Sequence, residues 1–292
     1  MGGLRPVSGR PEDAGQVRIP ARARDVTRRR RGVPLVVVLL AVVAVAFFVL
    51  PLVGLVQRAP WSTLWDDLSA PESRDAIRLS LECSLWSTAL SIAFGVPLAF
   101  VLARQPFLGR SLVRALVVLP MVLPPVVGGV ALLYAFSVNH GLVGGWLLDT
   151  FGVQLTFSTA GAVLAETFVA MPFLVITVEA GLRSMDRRYE DAAASLGANR
   201  WTVFRRVTLP VIAPSLYAGA ALAWARALGE FGATITFAGN IRGRTQTLPL
   251  AVYLLLESQQ GTAIVLSLLL LTVSIVVLVL LRDRWFGAVR ES

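Results

Sequence analysis

The sequence nearly lacks three residue types that carry much of protein chemistry. It has no lysine, one cysteine and one histidine. A Gly-x-x-x-x-Gly-Lys-Ser/Thr loop needs its lysine to hold nucleotide phosphates, so this chain cannot contain such a loop. Cys83 has no second cysteine for an intrachain disulfide, and Cys83 and His140 lie too far apart in sequence to suggest a metal site. We therefore expect neither a metal nor a nucleotide on this chain.

Charged residues are also scarce. They make up 15% of the 292 residues, against 55% hydrophobic residues and a mean hydropathy of +0.70. Soluble domains usually carry about 25% charged residues, so the composition indicates a polytopic membrane protein surrounded by lipid. The net charge of +9 comes entirely from arginine. Because the arginines flank apolar runs and form no continuous basic face, no nucleic-acid partner is expected.

Six apolar runs are long enough to cross a bilayer, which takes about 20 helical residues. They cover residues 33–56, 83–103, 115–138, 157–178, 211–237 and 262–281. Lipid offers no hydrogen-bond partner to the backbone, so each run should be helical. The predicted fold class is therefore all-α, with six transmembrane helices. The acidic stretch 61–75 is predicted to be an external linker.

Arginine is distributed unevenly between the two sides of these runs. Clusters lie at 28–31, 104–114, 183–206 and 282–290, whereas the loop 139–155 has no arginine. Positively charged loops stay in the cytoplasm, so both termini are predicted to be cytoplasmic. Residues 1–31 are predicted to form a disordered basic tail. The run within 32–57 is too long for the apolar part of a secretory signal, so we expect a retained first transmembrane helix.

The third run contains helix-breaking residues. They are Pro120, Pro124, Pro125, Gly128 and Gly129. Proline removes backbone hydrogen bonds, and a broken helix at membrane depth is tolerated only inside protein or beside a water-filled cavity. The break is either a kink that shapes packing or a wall of a translocation path. The following loop, 140–156, is interpreted either as a segment that dips into the membrane edge or as a docking surface.

The segment between the fourth and fifth runs has its own pattern. Residues 189–196 favour a helix that can stop at Gly197, and Asn199 can cap a second short helix. Trp201, Phe204 and Val207 then recur every three residues as an apolar stripe, and Leu209-Pro210 is predicted to start the fifth membrane helix. Such a stripe has to be covered by membrane, by the chain's own helices or by a partner.

The same segment resembles the signature loop of bacterial ABC importer permeases. That loop reads Glu-Ala-Ala, three residues, Gly, nine residues, Ile, one residue, Leu-Pro, and the spacing is met here with Asp191 for Glu and Val207 for Ile. The resemblance implies a type I ABC importer permease fold over residues 76–282, with a loop at 185–210 that couples it to an ATPase. The coupling residues implied are Glu190, Asp191, Ala192, Ala193, Leu196, Gly197, Arg200, Val207, Leu209 and Pro210.

The resemblance also implies partners and a location. Two copies of the permease pair around one pore, and two cytoplasmic ATPase subunits bind ATP and Mg. A soluble binding protein delivers the substrate outside the bacterial cytoplasmic membrane, in which this chain is a multi-pass subunit. The chain itself is expected to have no catalytic residue and no cofactor.

The region around the end of the fifth run resembles molybdate permeases. The residues that carry this resemblance are 229–234 (Gly-Glu-Phe-Gly-Ala-Thr), 238–240 (Ala-Gly-Asn) and 245–250 (Thr-x-Thr-Leu-Pro-Leu). It implies molybdate as the substrate, with tungstate not separable from it. Sulfate permeases have a related pattern, so sulfate or another oxyanion is the alternative.

Polar residues inside the runs are candidates for the translocation path. Arg226 and Glu230 lie four residues apart on one helix face, where they form either a self-neutralising pair that holds the packing or a pore-facing pair. An oxyanion needs hydrogen-bond donors, which hydroxyl groups can supply. The predicted path comprises Ser87, Ser91, Pro124, Arg226, Glu230 and Thr234.

Two other classes of protein fit the sequence less well. An ion-driven secondary transporter would use intramembrane acids such as Glu166 and Glu230, but we see no internal repeat and the 185–210 segment would have no role. A membrane-anchored enzyme would need a nucleophile and base, and no such constellation is visible.

Overall fold

The computed structural model describes residues 2–3 and 34–287, with side chains described up to residue 280. Most of the predicted basic tail therefore lies outside the described residues. All regular structure in the described part is helical, as predicted. Five of its helices are long and apolar enough to cross a membrane, or six if one bent pair is counted as a single span.

The first two spans differ in how well the apolar runs predict their length. Helix α1 (Leu35–Gln57) matches the run 33–56. The second span begins well before its run, because α3 (Pro71–Leu90), a π-helical turn (Ser91–Gly95) and α4 (Val96–Arg104) form one helix of 34 residues. The predicted linker 61–75 is thus wrong in part: it holds the short helix α2 (Leu64–Ser69) and the start of α3. A hydropathy pattern detects only the apolar part of a helix that continues into water.

The third run is not a single straight crossing. Helix α5 (Arg110–Val122) and helix α6 (Pro125–Phe136) meet at a bend of 120°. Leu123 between them is extended, as expected for a residue that precedes proline. The predicted break in the third run is confirmed and lies at 123–124. The loop 139–155 contains helix α7 (Gly144–Phe151).

Helix α8 (Thr159–Ser184) lies at the centre of the bundle formed after residue 50. In the most apolar stretch of α8, 67% of the residues are buried, against 33% in the corresponding stretch of the span 71–104. Ser158 caps it by accepting a hydrogen bond from the Gly161 backbone N–H at 3.1 Å. The fourth predicted run is therefore confirmed, with a slightly later start and a later end.

The fifth run differs at both ends from its prediction. After helix α9 (Arg188–Ser195), helix α10 (Arg200–Val203) continues through a π-helical turn (Phe204–Thr208) into α11 (Leu209–Leu228). The fifth membrane helix thus begins at Arg200 and not at Leu209-Pro210. Pro210 is tolerated because the π turn already interrupts the regular hydrogen-bond ladder before it.

The other end of the fifth run is broken. Helix α11 stops at Leu228, and a separate helix α12 (Gly232–Phe237) follows. The loop 241–261 contains helix α13 (Leu248–Ser258), and α14 (Gln260–Gly287) forms the last span, in agreement with the run 262–281.

The packing of α8 fixes the relative directions of its neighbours. Cys83 of α3 packs with Ala162 and Val163, whereas Gly95 at the other end faces Leu174 and Val175. The 71–104 helix therefore runs parallel to α8. Helix α11 runs antiparallel to α8, because Gly181 faces Ser215 and Ile212 while Gly219 faces Leu174 and Thr177.

Candidate coupling segment and buried polar groups

The coupling segment, residues 185–210, turns at Gly197. This residue has φ +85°, in the left-handed region that favours glycine. Its N–H donates to the Ala194 carbonyl at 3.0 Å, and the Ala198 N–H donates to the Ala193 carbonyl at 3.1 Å. These two bonds form a Schellman motif that closes α9. The prediction that the first helix of the segment stops at Gly197 is confirmed.

Asn199 starts the second helix of the segment. Its backbone is extended, with φ −70° and ψ 163°, and its side-chain oxygen accepts a hydrogen bond from the Thr202 N–H at 2.8 Å. This is the geometry of an N-cap, as predicted from the sequence.

We expect Asn199→Ala to destabilise the start of α10 by about 1 kcal/mol, because the Thr202 N–H loses its acceptor. Hydrogen–deuterium exchange of residues 200–204 would measure this as faster exchange. Asn199→Asp is the matched control, since its carboxylate keeps the acceptor. Equal exchange in Asn199→Ala and the control would contradict the capping role.

The predicted apolar stripe is divided between the surface and the interior. Phe204 and Val207 pack against the core of the chain's own bundle, and the Phe204 ring lies 5.2 Å from the Phe100 ring. Trp201 stacks on Phe204 but stays 67% exposed, and Leu196 is 89% exposed. Two of the three stripe residues are therefore covered by the chain's own helices, one of the predicted alternatives, whereas Trp201 stays exposed and, with Leu196 from outside the stripe, forms an exposed apolar surface.

The residues implied to couple to an ATPase do not all face outward. Glu190 lies in the first turn of α9, and its Oε2 is 3.2 Å from the Nε of Arg104. Its Oε1 accepts a hydrogen bond from the Thr208 hydroxyl at 2.8 Å. The side chains of Arg104 and Glu190 are only 7% and 17% exposed. Glu190 thus contacts helices of its own chain. Of the other coupling residues, Asp191, Ala192, Leu196, Gly197, Arg200 and Pro210 are exposed, and Ala193, Val207 and Leu209 are half-buried.

A second ion-pair cluster, which the sequence did not reveal, joins α5 to α8. Glu179 accepts hydrogen bonds from Arg183, at 2.7 Å from its Nη2, and from Arg114 of α5. The spacing of Glu179 and Arg183 is a signal for a pair on one helix, but nothing local in the sequence points to Arg114. The cluster ties the first half of the bent pair to the central helix.

Arg226 and Glu230 form the pair that their spacing predicts. The Arg226 Nη2 lies 2.6 Å from the Glu230 Oε2, and the side chains are 27% and 2% exposed. The other carboxylate oxygen of Glu230 accepts the Ala233 N–H at 2.8 Å. Glu230 therefore joins the end of α11 to the start of α12. These contacts are those of a packing pair, and they leave a role in the translocation path as a prediction.

The hydroxyl-bearing path candidates lie inside the protomer. Ser87, Ser91 and Thr234 are fully buried, and within the described part of the chain their hydroxyls have no hydrogen-bond partner. One carboxylate oxygen of the buried Glu166 is also unpartnered there. The parallel packing of α3 and α8 places Ser87 level with Glu166, between the Cys83–Val163 contact and the Gly95–Leu174 contact. Pro124 differs from this group in being exposed, at the 120° bend.

Several residues of the motif that resembles molybdate permeases are buried, and their side chains hold the backbone of the loop. Thr245 and Thr247 are buried, and the Thr245 hydroxyl oxygen accepts the Ile241 N–H at 2.9 Å. The Leu248 N–H donates to the Ser80 hydroxyl at 2.6 Å, which fixes the loop on α3. Nearby, Arg242 pairs with Glu72 at 2.9 Å and Asp75 at 3.6 Å on the same helix. The motif therefore defines a backbone shape beside α3.

The sequence of the chain matches a family and several characterised relatives. Residues 95–290 match the family described as "Binding-protein-dependent transport system inner membrane component". The molybdenum transport system permease protein of Mycobacterium tuberculosis is 48% identical over 238 residues, covering 81% of this chain and 89% of that relative. The molybdenum permease of Escherichia coli is 40% identical, covering 77% and 97%. The sulfate transport system permease of Escherichia coli is 38% identical, covering 71% and 76%.

A solved structure shows the same fold at much lower sequence identity. It is a bacterial alginate ABC transporter in complex with an alginate pentasaccharide-bound periplasmic protein. The TM-score is 0.67 at 19% identity, and the match covers 84% of this chain and 91% of the other. At that identity the likeness concerns the fold alone, and it matches the type I permease fold expected from the sequence.

Proposed function

Because the chain belongs to the family of binding-protein-dependent transport system inner membrane components, we propose that it is the permease subunit of an importer for molybdate. Members of this family are multi-pass inner-membrane subunits of ABC importers, and ATP hydrolysis belongs to a separate subunit. The observation that supports molybdate as the substrate is the 48% identity to a molybdenum permease over 81% of the chain. Tungstate has the same shape and charge, and it belongs to the same proposal.

The coupling segment supports docking to an ATPase. Its helix–Gly–helix fold leaves Leu196 and Trp201 exposed beside Asp191 and Arg200, so an apolar surface is framed by charge. An exposed apolar surface of this kind is typical of a protein contact. In the proposal this surface sits in a groove of a cytoplasmic ATPase, which binds ATP and Mg. The arginine distribution supports a cytoplasmic location for the segment and for both termini.

Transport would need two copies of the chain and a delivery protein. Two permease copies pair around one pore, two ATPase subunits power it, and an extracytoplasmic binding protein presents the oxyanion. ATP binding can shift the pore only if it stabilises one packing of the helices over another. No covalent chemistry occurs on this chain.

The translocation path remains a prediction within this proposal. Ser87, Ser91, Thr234 and Glu230 are buried in the described conformation. They would meet a substrate only after a rearrangement that loosens the packing of α3 and α12 on α8. Arg226 and Pro124 are accessible without it.

Uptake by the reconstituted complex tests the proposal. The permease, its ATPase and its binding protein would be placed in vesicles, and uptake of labelled molybdate followed with and without ATP. We expect ATP-dependent uptake that excess tungstate blocks and excess sulfate leaves nearly unchanged. Vesicles that contain the permease and the binding protein but lack the ATPase serve as the control.

Two results would redirect the proposal. The 38% identity to a sulfate permease favours sulfate as the second candidate, and stronger uptake of sulfate than of molybdate would establish it. Uptake that needs an ion gradient and ignores ATP would instead indicate a secondary transporter.

A further inference from the structure

Helix α9 has few attachments to the rest of the chain. It has no buried residue. Among the described residues, the other side-chain hydrogen bonds and ion pairs of α9 stay within the coupling segment, as for Arg188 with Asp186 and Ser195 with the Asp191 carbonyl. Glu190 differs, because its carboxylate reaches Arg104 at the end of α4. Apart from its chain connection to α8 through Met185, which is buried in the core, the first half of the coupling segment is thus held to other helices largely by the side chain of Glu190.

The two oxygens of Glu190 bind two different elements. One pairs with Arg104, the last residue of the helix 71–104, and the other accepts from Thr208 in the π turn that leads into α11. Helix α11 follows the coupling segment along the chain, so any motion of the segment reaches it through the backbone. The helix 71–104 has no such connection and must be moved through contacts.

Helix 71–104 contacts each half of the coupling segment through a different kind of interaction. The Phe100–Phe204 ring contact joins that helix to the second half of the segment. The Arg104–Glu190 pair joins it to the first half, where Gly197 and Ala192 lie exposed for a partner. Arg104 depends on Glu190 for charge compensation, because no other carboxylate lies within ion-pair distance of it among the described residues. Its Nε and Nη2 are buried and make no hydrogen bond there, so the contact with Glu190 is an ion pair by distance.

We propose that Glu190 is a positioning residue that transmits motion of the coupling segment to the helix 71–104 through Arg104, and that it does not contact the ATPase. The inference rests on the proposed function and gives a different role to one residue of the coupling set. A nearly buried ion pair holds two helix ends at a fixed distance, whereas two surfaces in packing contact can slide past each other. The helix it would move carries Ser87 and Ser91 into the centre of the bundle.

The test compares coupling with assembly in the complete complex. In Glu190→Gln the shape and the acceptor for Thr208 are kept, and the ion pair with Arg104 is lost. We expect the ATPase to copurify as with the unmodified permease, because Glu190 faces inward. The ratio of molybdate imported to ATP hydrolysed should fall at least about fivefold, the lower range of typical coupling between sites.

Two further variants control for a simple structural role. Exchanging the charges, Glu190→Arg with Arg104→Glu, should restore part of the lost ratio, whereas either change alone should not. Arg74→Gln removes one charge from an exposed arginine at the far end of the helix 71–104, outside the coupling segment, and it should leave the ratio unchanged. If Glu190→Gln cannot be recovered from membranes, Arg104→Gln breaks the same link from the other side.

The outcomes separate this inference from the proposed function. Loss of ATPase copurification in Glu190→Gln would show direct contact with the ATPase and overturn the inference. A normal ratio with normal copurification would overturn it as well, while ATP-driven uptake by the unmodified complex would still support the proposed function. Absence of any ATP-driven oxyanion uptake by the unmodified complex would overturn both.

Discussion

Replacing Gly129 with valine is expected to lower the stability of the folded permease by about 3 kcal/mol, the upper part of the usual range for overpacking. A Cβ at Gly129 would lie 2.6 Å from the Thr236 Cβ and 2.9 Å from the Ala233 carbonyl oxygen. Neither distance is possible without moving α6 away from α12. Thermal unfolding in detergent, followed by the loss of the monodisperse peak on size exclusion, measures the effect.

The opposite side of the same contact should respond similarly. A Cβ at Gly232 would lie 2.7 Å from the Pro125 Cβ and 3.2 Å from the Val126 nitrogen, so Gly232→Val should also destabilise. Gly229→Ala is the matched control, because its nearest neighbour, the Ala225 carbonyl oxygen, is 3.6 Å away. Valine at Gly129 with unfolding as late as in the control would mean that α6 and α12 are not in contact.

Glu230→Ala is expected to destabilise the fold by about 3–5 kcal/mol, as is usual when one partner of a buried ion pair is removed. The change leaves Arg226 without its carboxylate and the Ala233 N–H without its acceptor. Because Arg226 is 27% exposed and partly hydrated, we expect the lower end of that range. Thermal unfolding in detergent and ATP-driven molybdate uptake should both be measured.

Matched variants separate the packing role of this pair from a role in the pore. Glu230→Gln keeps an acceptor for Ala233 and should be milder than Glu230→Ala. Adding Arg226→Ala to Glu230→Ala should recover part of the stability, because no unpaired charge remains. A Glu230→Ala protein that unfolds normally but imports nothing would contradict the packing role and favour a pore-facing pair. Unchanged uptake and protein level in Arg226→Ala would exclude Arg226 from the translocation path.

The features that sequence predicted correctly are set by neighbouring residues. Gly197 ends α9 because the left-handed backbone there favours glycine, and Asn199 caps α10 because its short side chain reaches an N–H three residues on. The apolar runs locate the spans because burial of the backbone in lipid demands helices. Each of these effects operates within one or two helical turns.

The features that sequence missed depend on distant residues. The break between α11 and α12 lies inside an apolar run, and it is stabilised by Glu230, whose spacing to Arg226 looked like that of an unbroken helix. Glu190 looked like a partner-facing residue because it adjoins the signature motif, yet its ion-pair partner is Arg104, far away in sequence. The sequence shows that the stripe containing Phe204 needs a cover, but only the fold shows that Phe100 provides it.

Candidate site residues were harder to predict than the fold for the same reason. Ser87, Ser91 and Thr234 are predicted donors because they are polar residues within apolar runs. The pattern gives their membrane depth, but only the packing of α3, α8 and α12 shows that they point into the protomer.

The unbroken helix from Arg200 to Leu228 has a mechanical consequence. Its 29 residues make a rod about 43 Å long at 1.5 Å per residue, with one end in the coupling segment and the other beside Glu230. If such a rod pivots near one end, a tilt of about 5° moves the other by about 4 Å, so a small rotation becomes a displacement of atomic size. The π turn at Phe204–Thr208 interrupts the regular hydrogen bonding of this helix close to the coupling segment. We expect the helix to bend most easily there, so the stiffness of this turn would determine how much of a displacement at one end reaches the other.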